Sequence, residues 1–295
     1  MDESLFPAPM LKAFRFLFGT LGQLFPKAMG RYAAKMMTTP QNFPAPKREI
    51  EGVQDAEEVF LKCGVRAWHW PAQARESKAP IALISHGWMG RASQMFAYAK
   101  AFVDAGYEVY SIALPGHDGS KGIGKDGKRT HPVHTRQVFG QVAKELGEVE
   151  VAVAHSYGAA CCMWSITAED ANIKHMISVA SPTHYLHREF AEIFRIKGRC
   201  LDGFIDGMDA FMGFPVDQVN FEDIVTDEMQ EKMSPVLILH GRDDVEAPLW
   251  HAEKNASLMQ SADLIVIDDC NHRKITWDPN AINAAMDWLK TKQAA

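Results

Sequence analysis

From about residue 48 onward the chain alternates short, almost continuously apolar runs with segments whose apolar residues recur at helical spacing. The runs at 81–85, 107–113, 149–154, 175–180, 236–239 and 264–267 are rich in Val, Ile and Leu and predict strands. Residues 94–105, 135–146 and about 280–290 predict helices, and 116–132 is a loop rich in Gly, Lys and Asp. Residues 59–70 alternate apolar and polar positions, as one strand with an exposed face does. Strands apolar on both sides and separated by helices predict a mainly parallel sheet covered on both faces, an α/β fold.

Two stretches depart from this rhythm. Between Ser181 and Ser234 no strand pattern occurs, only a periodic stretch over 185–196 and a region carrying Phe204, Met208, Phe211, Met212 and Phe214. So long an insertion predicts a helical cap over 182–233, above the carboxyl ends of the strands where ligands bind in such sheets. Its aromatic and methionine side chains either line an aliphatic pocket or pack the cap's own core. The second departure is a helical extension over 1–46. Met10, Leu11, Phe14, Leu17, Phe18, Leu21, Leu24 and Phe25 fall on one side of a helix, with Lys12, Arg15, Gly19 and Gln23 opposite. Pro26 restarts the helix, Lys27, Arg31 and Lys35 follow at four-residue intervals, and no Asp or Glu occurs from residue 4 to 46. The expected setting is docking of the apolar face on the protein's own core or on a second copy in a homodimer. Peripheral contact of residues 10–37 with an anionic membrane surface is the alternative.

The remaining 47–181 and 234–295 form the predicted core. At 295 residues the chain buries a substantial interior, and 47% hydrophobic with 23% charged residues is ordinary for a globular protein. A net charge of −6 with no Lys/Arg block argues against nucleic acid as a partner. Cys63, Cys161, Cys162, Cys200 and Cys270 show neither a C-x-x-C motif nor metal-ligand spacing. Their odd number fits reduced thiols and a cytoplasmic location, with no cofactor or metal required. No apolar run reaches the roughly 18 residues of a spanning helix, and the acidic start makes a poor secretory signal.

The chemistry concentrates at strand ends. In VEVAVAHSYGAA (149–160) a buried strand runs into Ala154-His155-Ser156-Tyr157-Gly158 and then a helix. Small residues at minus two and plus two let strand and helix approach closely, which exposes the Ser156 hydroxyl on a sharp turn. A serine needs a base, and the base a carboxylate to orient it. Asp244 lies in the turn after the strand of SPVLILHGRDDVEAP, and His272 in the loop after the next strand. Acyl transfer also needs two donors for the developing oxyanion. The amide of Tyr157, at the helix start, offers one, and that of Trp88 in SHGWMG the other, with Gly87 and Gly90 allowing close approach.

In this combination the chain resembles the α/β-hydrolase fold family over about residues 48–293. The elements carrying the likeness are His86-Gly87-Trp88, Pro115-Gly116-His117, the serine turn, the H-G-x-x-D-x-x-x-P stretch from His240 to Pro248, and the late His272. The resemblance implies Ser156 as nucleophile, Asp244 as acid, His272 as base, Trp88 and Tyr157 as oxyanion donors, and His86, Gly87 and Trp88 along the substrate. The family's usual G-x-S-x-G is here A-x-S-x-G, a departure of one methyl group at Ala154.

Rival residues are few. Asp243 adjoins Asp244, but the H-G-x-x-D spacing selects the latter, and Asp268 and Asp269 are expected at the surface. His155 is expected to point away from the nucleophile, Cys161 and Cys162 to pack along the helix, and Cys270 to stand outside the chemistry. Asp118, His131 and His134 near the polar loop are expected to be structural. The expectation is a serine hydrolase of a small-molecule carboxylic ester, esterase- or lipase-like. An acyltransferase, thioesterase or C–C hydrolase would use the same residues, and a non-catalytic binding or signalling member of the fold is the alternative of another class. A serine nucleophile argues against haloalkane dehalogenase and epoxide hydrolase relatives.

Overall fold

A computed structural model describes residues 7–72, 79–225 and 227–294. Eight strands form one sheet: β1 (Glu57–Phe60), β2 (Arg66–Trp70), β3 (Ile81–Ser85), β4 (Glu108–Ile112), β5 (Val151–His155), β6 (Met176–Val179), β7 (Val236–Gly241) and β8 (Ala262–Ile267). Their order is β1-β2-β4-β3-β5-β6-β7-β8, with the β1/β2 and β2/β4 pairs antiparallel and the rest parallel. Every residue of β3, β5, β6 and β7 is buried, which explains their unbroken apolar sequence. Helices α4 (Phe96–Asp104), α5 (Pro132–Leu146), α6 (Tyr157–Ala168), α11 (Trp250–Leu258) and α12 (Pro279–Gln293) complete the α/β layers. Side chains pack in two apolar clusters, one holding Val138, Phe139, Val142 and the α6 side chains, the other Tyr98, Phe102, Trp288 and Leu289.

One predicted strand is two. Residues 59–70 turn back on themselves at Gly64, whose φ of 82° is open to glycine, and the Leu61 amide bonds to the Val65 carbonyl. The alternating pattern is real on both arms, so periodicity alone misses the hairpin.

Between β6 and β7 lie α7 (His187–Ile193), α8 (Arg199–Met212), α9 (Phe221–Ile224) and α10 (Asp227–Lys232). Phe204 and Met208 are fully buried and Met212 nearly so, and none of the five Phe/Met residues of this region lines the cavity described below. Phe204, Met208 and Met212 pack inward, while Phe211 lies against His131 and Phe214 against Trp164; the pocket reading is corrected, because the apolar stripe of α8 turns toward the N-terminal helices.

Those helices are α1 (Ala8–Leu24) and α2 (Pro26–Met37), followed by α3 (Lys47–Gly52). Both of the first two pack on α8. Gly30 of α2 lies so close to α8 that a Cβ there would sit 2.3 Å from the Gly203 carbonyl carbon and 2.4 Å from the Phe204 nitrogen. Reciprocally, a Cβ on Gly203 would meet the Pro26 carbonyl oxygen at 2.9 Å. Leu11, Phe14 and Phe18 of α1 cover Phe194 and the cap, and Arg15 Nε donates to the Ile193 carbonyl at 2.7 Å. The expected single docking face is divided: Leu21, Leu24 and Phe25 are exposed, together with Phe16. The buried stripe is narrower than the apolar arc: α1 meets α8 closely at Gly22, where a Cβ would lie 3.1 Å from Cys200 Sγ.

Candidate active site

Parallel strands aim their carboxyl ends to one edge, and the turns leaving β3, β5, β7 and β8 meet there. Ser156, the first residue after β5, has φ 53° and ψ −124°, a conformation that side chains other than glycine's rarely adopt. Its amide donates to the Val179 carbonyl at 2.7 Å, which fixes the turn to β6. A Cβ on Gly158 would lie 2.2 Å from the His86 carbonyl oxygen, and one on Gly87 would lie 2.8 Å from the Ser156 Cβ. The β3 loop and the start of α6 are therefore pressed together without room for a methyl. Ala154, two residues before the serine, is buried between β3 and β6, and the turn closes with its methyl in place.

The three side chains singled out from sequence come together. The Ser156 hydroxyl donates to His272 Nε2 across 3.0 Å, and His272 Nδ1–H donates to Asp244 Oδ2 across 2.7 Å. The other Asp244 oxygen accepts from the amides of Glu246 and Ala247 at 2.9 and 2.8 Å. With both oxygens held, the buried carboxylate keeps one orientation. Asp243 is exposed, Asp268 pairs with Arg242 at the surface, and the Asp269 carbonyl accepts from Lys274, so none of them reaches His272.

Trp88 is the second residue of a turn closed by the Gly90 amide on the Gly87 carbonyl, so the turn leaves the Trp88 amide unused. Tyr157 opens α6, where an amide has no acceptor within the helix. Their rings meet edge to face at 5.1 Å, and both residues line the cavity that holds Ser156.

His86 corrects the expectation of a substrate contact. Its ring is fully buried, with Nδ1–H donating to the Gly87 carbonyl at 2.6 Å and Nε2 accepting from the Leu114 amide at 3.0 Å. It ties the β3 loop to the end of β4 from behind, out of a substrate's reach. Burial, then the neighbouring His117, holds its pKa well below 6.5. His155 turns away from the serine and donates through Nε2 to the His272 carbonyl at 2.9 Å, so it fixes the loop carrying that ring. Burial lowers its pKa strongly as well, with His272 next in effect.

Sequence reasoning named His240 within a motif but gave its side chain no role. Its Nε2–H donates to the Ala247 carbonyl at 2.7 Å and lies 3.4 Å from Asp244 Oδ2, bracing the acid turn. Its place at the head of H-G-x-x-D was the available signal. Asp118 pairs with Arg66 and accepts from the Ala92 amide, His131 caps α5, and His134 bonds Thr130. Cys161 and Cys162 are buried along α6, where burial raises both thiols. Among the described residues no group of three His, Cys, Asp or Glu side chains is arranged to hold a metal.

The cavity beside Ser156 is walled by apolar side chains from four parts of the chain: Met36 and Met37 of α2, Trp88 and Met89, Trp164 of α6, and Tyr185, Leu186, Phe190 and Phe221 of the cap. No sequence pattern had marked Met36 and Met37, because the end of α2 reaches the cavity only by lying across α8.

A family model described as an alpha/beta hydrolase family matches residues 82–285. No curated protein matches the sequence. Among solved structures, a membrane phospholipase A described as a bacterial virulence factor is similar at 13% identity and a TM-score of 0.63. That match covers 98% of this chain and 100% of the other, and so takes in the N-terminal helices. An esterase from the Planctomycetes species Thermogutta terrifontis, with butyrate bound, is similar at 14% identity and a TM-score of 0.59, covering 81% of this chain and 95% of that one. The thioesterase domain from the curacin biosynthetic pathway reaches 14% identity and a TM-score of 0.59, covering 80% and 99%. At such identities the likeness is one of fold. With the strand order and the matched span, the chain belongs to the alpha/beta hydrolase family.

Proposed function

We propose that the protein is a serine hydrolase that cleaves a carboxylic ester through an acyl-serine intermediate. The observation that carries this reading is the continuous chain of hydrogen bonds from Ser156 through His272 to Asp244 at the floor of an apolar cavity. Ser156 Oγ attacks the ester carbonyl carbon while its proton passes to His272 Nε2. Asp244 holds the ring in the tautomer with a free Nε2 lone pair and stabilises the imidazolium that forms. The oxyanion accepts from the amides of Trp88 and Tyr157, the second aided by the α6 dipole. His272 then returns the proton to the departing alcohol oxygen as the C–O bond breaks. Water, deprotonated by the same ring, attacks the acyl-serine and releases the acid.

The cavity walls suit an apolar acyl chain, since almost every residue facing it offers carbon or sulfur. A p-nitrophenyl ester series of increasing acyl length should therefore show rising kcat/KM before the chain outgrows the cavity. In Ser156→Ala the rate should fall about 10⁴-fold or more. A fluorophosphonate probe should label the parent protein and leave the variant unlabelled. Unchanged hydrolysis in Ser156→Ala would overturn the reading.

A further inference from the structure

The outer side of α1 does not look like the surface of a helix that meets only water. Phe16 is 72% exposed, Leu24 70%, Phe25 61% and Leu21 39%, while the opposite side of the same helix is sealed against the cap. At 100° per residue, Ala13, Phe16, Leu17, Thr20, Leu21 and Leu24 share an outward arc that holds no charged residue. Soluble proteins seldom leave several large apolar side chains side by side in solvent. The charge on these two helices is basic: Lys12, Lys27, Arg31 and Lys35 are all exposed, Lys27 beside Phe25, and α1 and α2 contain no acidic residue. Asp202 and Asp206 of α8 lie with Arg199 across a shallow groove from Lys27.

We infer that the outer face of α1, with the basic side chains of α2, docks on the surface of an anionic phospholipid bilayer. Phe16, Leu24 and Phe25 would enter the boundary between headgroups and acyl chains, and Lys27 and Arg31 would meet lipid phosphates. The mode is surface attachment, since no helix among the described residues is long and apolar enough to cross a membrane. A second copy of the chain would bury the same apolar residues, but would also bring the basic, acid-free α1 and α2 of two chains together. The last turn of α2, the helix that carries these basic residues, supplies Met36 and Met37 to the cavity wall.

The test is independent of the proposed chemistry, because it uses full-length protein carrying Ser156→Ala. This background is sedimented with vesicles of phosphatidylcholine alone and of phosphatidylcholine mixed with phosphatidylglycerol. It should bind the mixed vesicles about tenfold more tightly, and less so as salt is raised. Adding Phe16→Ser, Leu24→Ser and Phe25→Ser together should weaken binding to mixed vesicles about tenfold or more. Lys27→Glu with Arg31→Glu should remove the preference for the anionic lipid. Phe43→Ser, at an exposed phenylalanine outside these helices, should change nothing. All six residues substituted in this background are exposed, and unchanged thermal melts will show that folding is intact. Failure of the background protein to sediment with mixed vesicles overturns the inference. So does undiminished binding of the triple-serine variant, or a dimer in light scattering that the same three substitutions convert to monomer without any vesicle binding.

Discussion

The turn at Ser156 and the seam between α2 and α8 are both places where two backbones touch without room for a methyl group. At the turn the contact joins neighbouring strands, and it fixes atoms that must meet within hydrogen-bond distance. At the seam it joins the start of the chain to the middle, and it fixes a wall. The two regions thus divide the work: strand ends set what reaction is possible, while the extension and cap set which molecule fits. A change in the first should remove activity and spare selectivity. A change in the second should do the reverse.

Gly158→Ala tests the first half of that division. The new methyl must displace the His86 carbonyl, and with it the loop that carries the Trp88 amide. Loss of one oxyanion donor costs roughly 10²–10³-fold in kcat. That fall, measured on short and long esters alike, is the expected outcome, and a length-dependent loss would blur the division.

A second prediction concerns the imidazoles packed behind the strand ends. Burial lowers the pKa of His86, His155 and His240, and brings His117 from 6.5 to about 4. The unfolded chain takes up these protons below pH 6.5 and the folded chain resists them, so stability is complete above that pH and declines as pH falls toward 4. For His117 alone the change is about 3 kcal/mol. Thermal melts should show Tm dropping steadily across this window, and His117→Gln should shallow the drop. A flat Tm from pH 7 to 4 would contradict it.

Gly30→Ala is the smallest expected effect and addresses the other region. Overpacking of this kind costs about 1–3 kcal/mol and should lower Tm by several degrees. Fluorophosphonate labelling of Ser156 should go to completion as before, while the acyl-length profile of hydrolysis shifts as Met36 and Met37 move. Loss of labelling would mean that the two regions are not separable.

The same division governs what could be read from the sequence. Ser156 follows its strand directly and Asp244 and His272 lie in the loops just after theirs, so a local pattern and the chain order were enough to find them. His86 stood in an equally recognisable motif, yet its ring points into the interior, because motif spacing places a backbone and leaves the side chain's direction open. Met36 and Met37 carried no signal, since their place depends on how α2 crosses a helix far along the chain. Gly30 and Gly203, which carry no side chain, are the residues that permit the crossing. The apolar arc of α1 was visible, but its partition into a sealed and an open side depended on which residues α8 and the cap reach, far along the chain.

The seam at Gly30 and Gly203 has a consequence for how the chain is made. Well over half of the protein is synthesised between these two glycines, so α1 and α2 leave the ribosome long before the surface they pack on exists. Leu11, Phe14 and Phe18 therefore stay uncovered while most of the sheet is assembled. Their docking closes a loop around the first six strands and falls late in folding, when the cap is already in place.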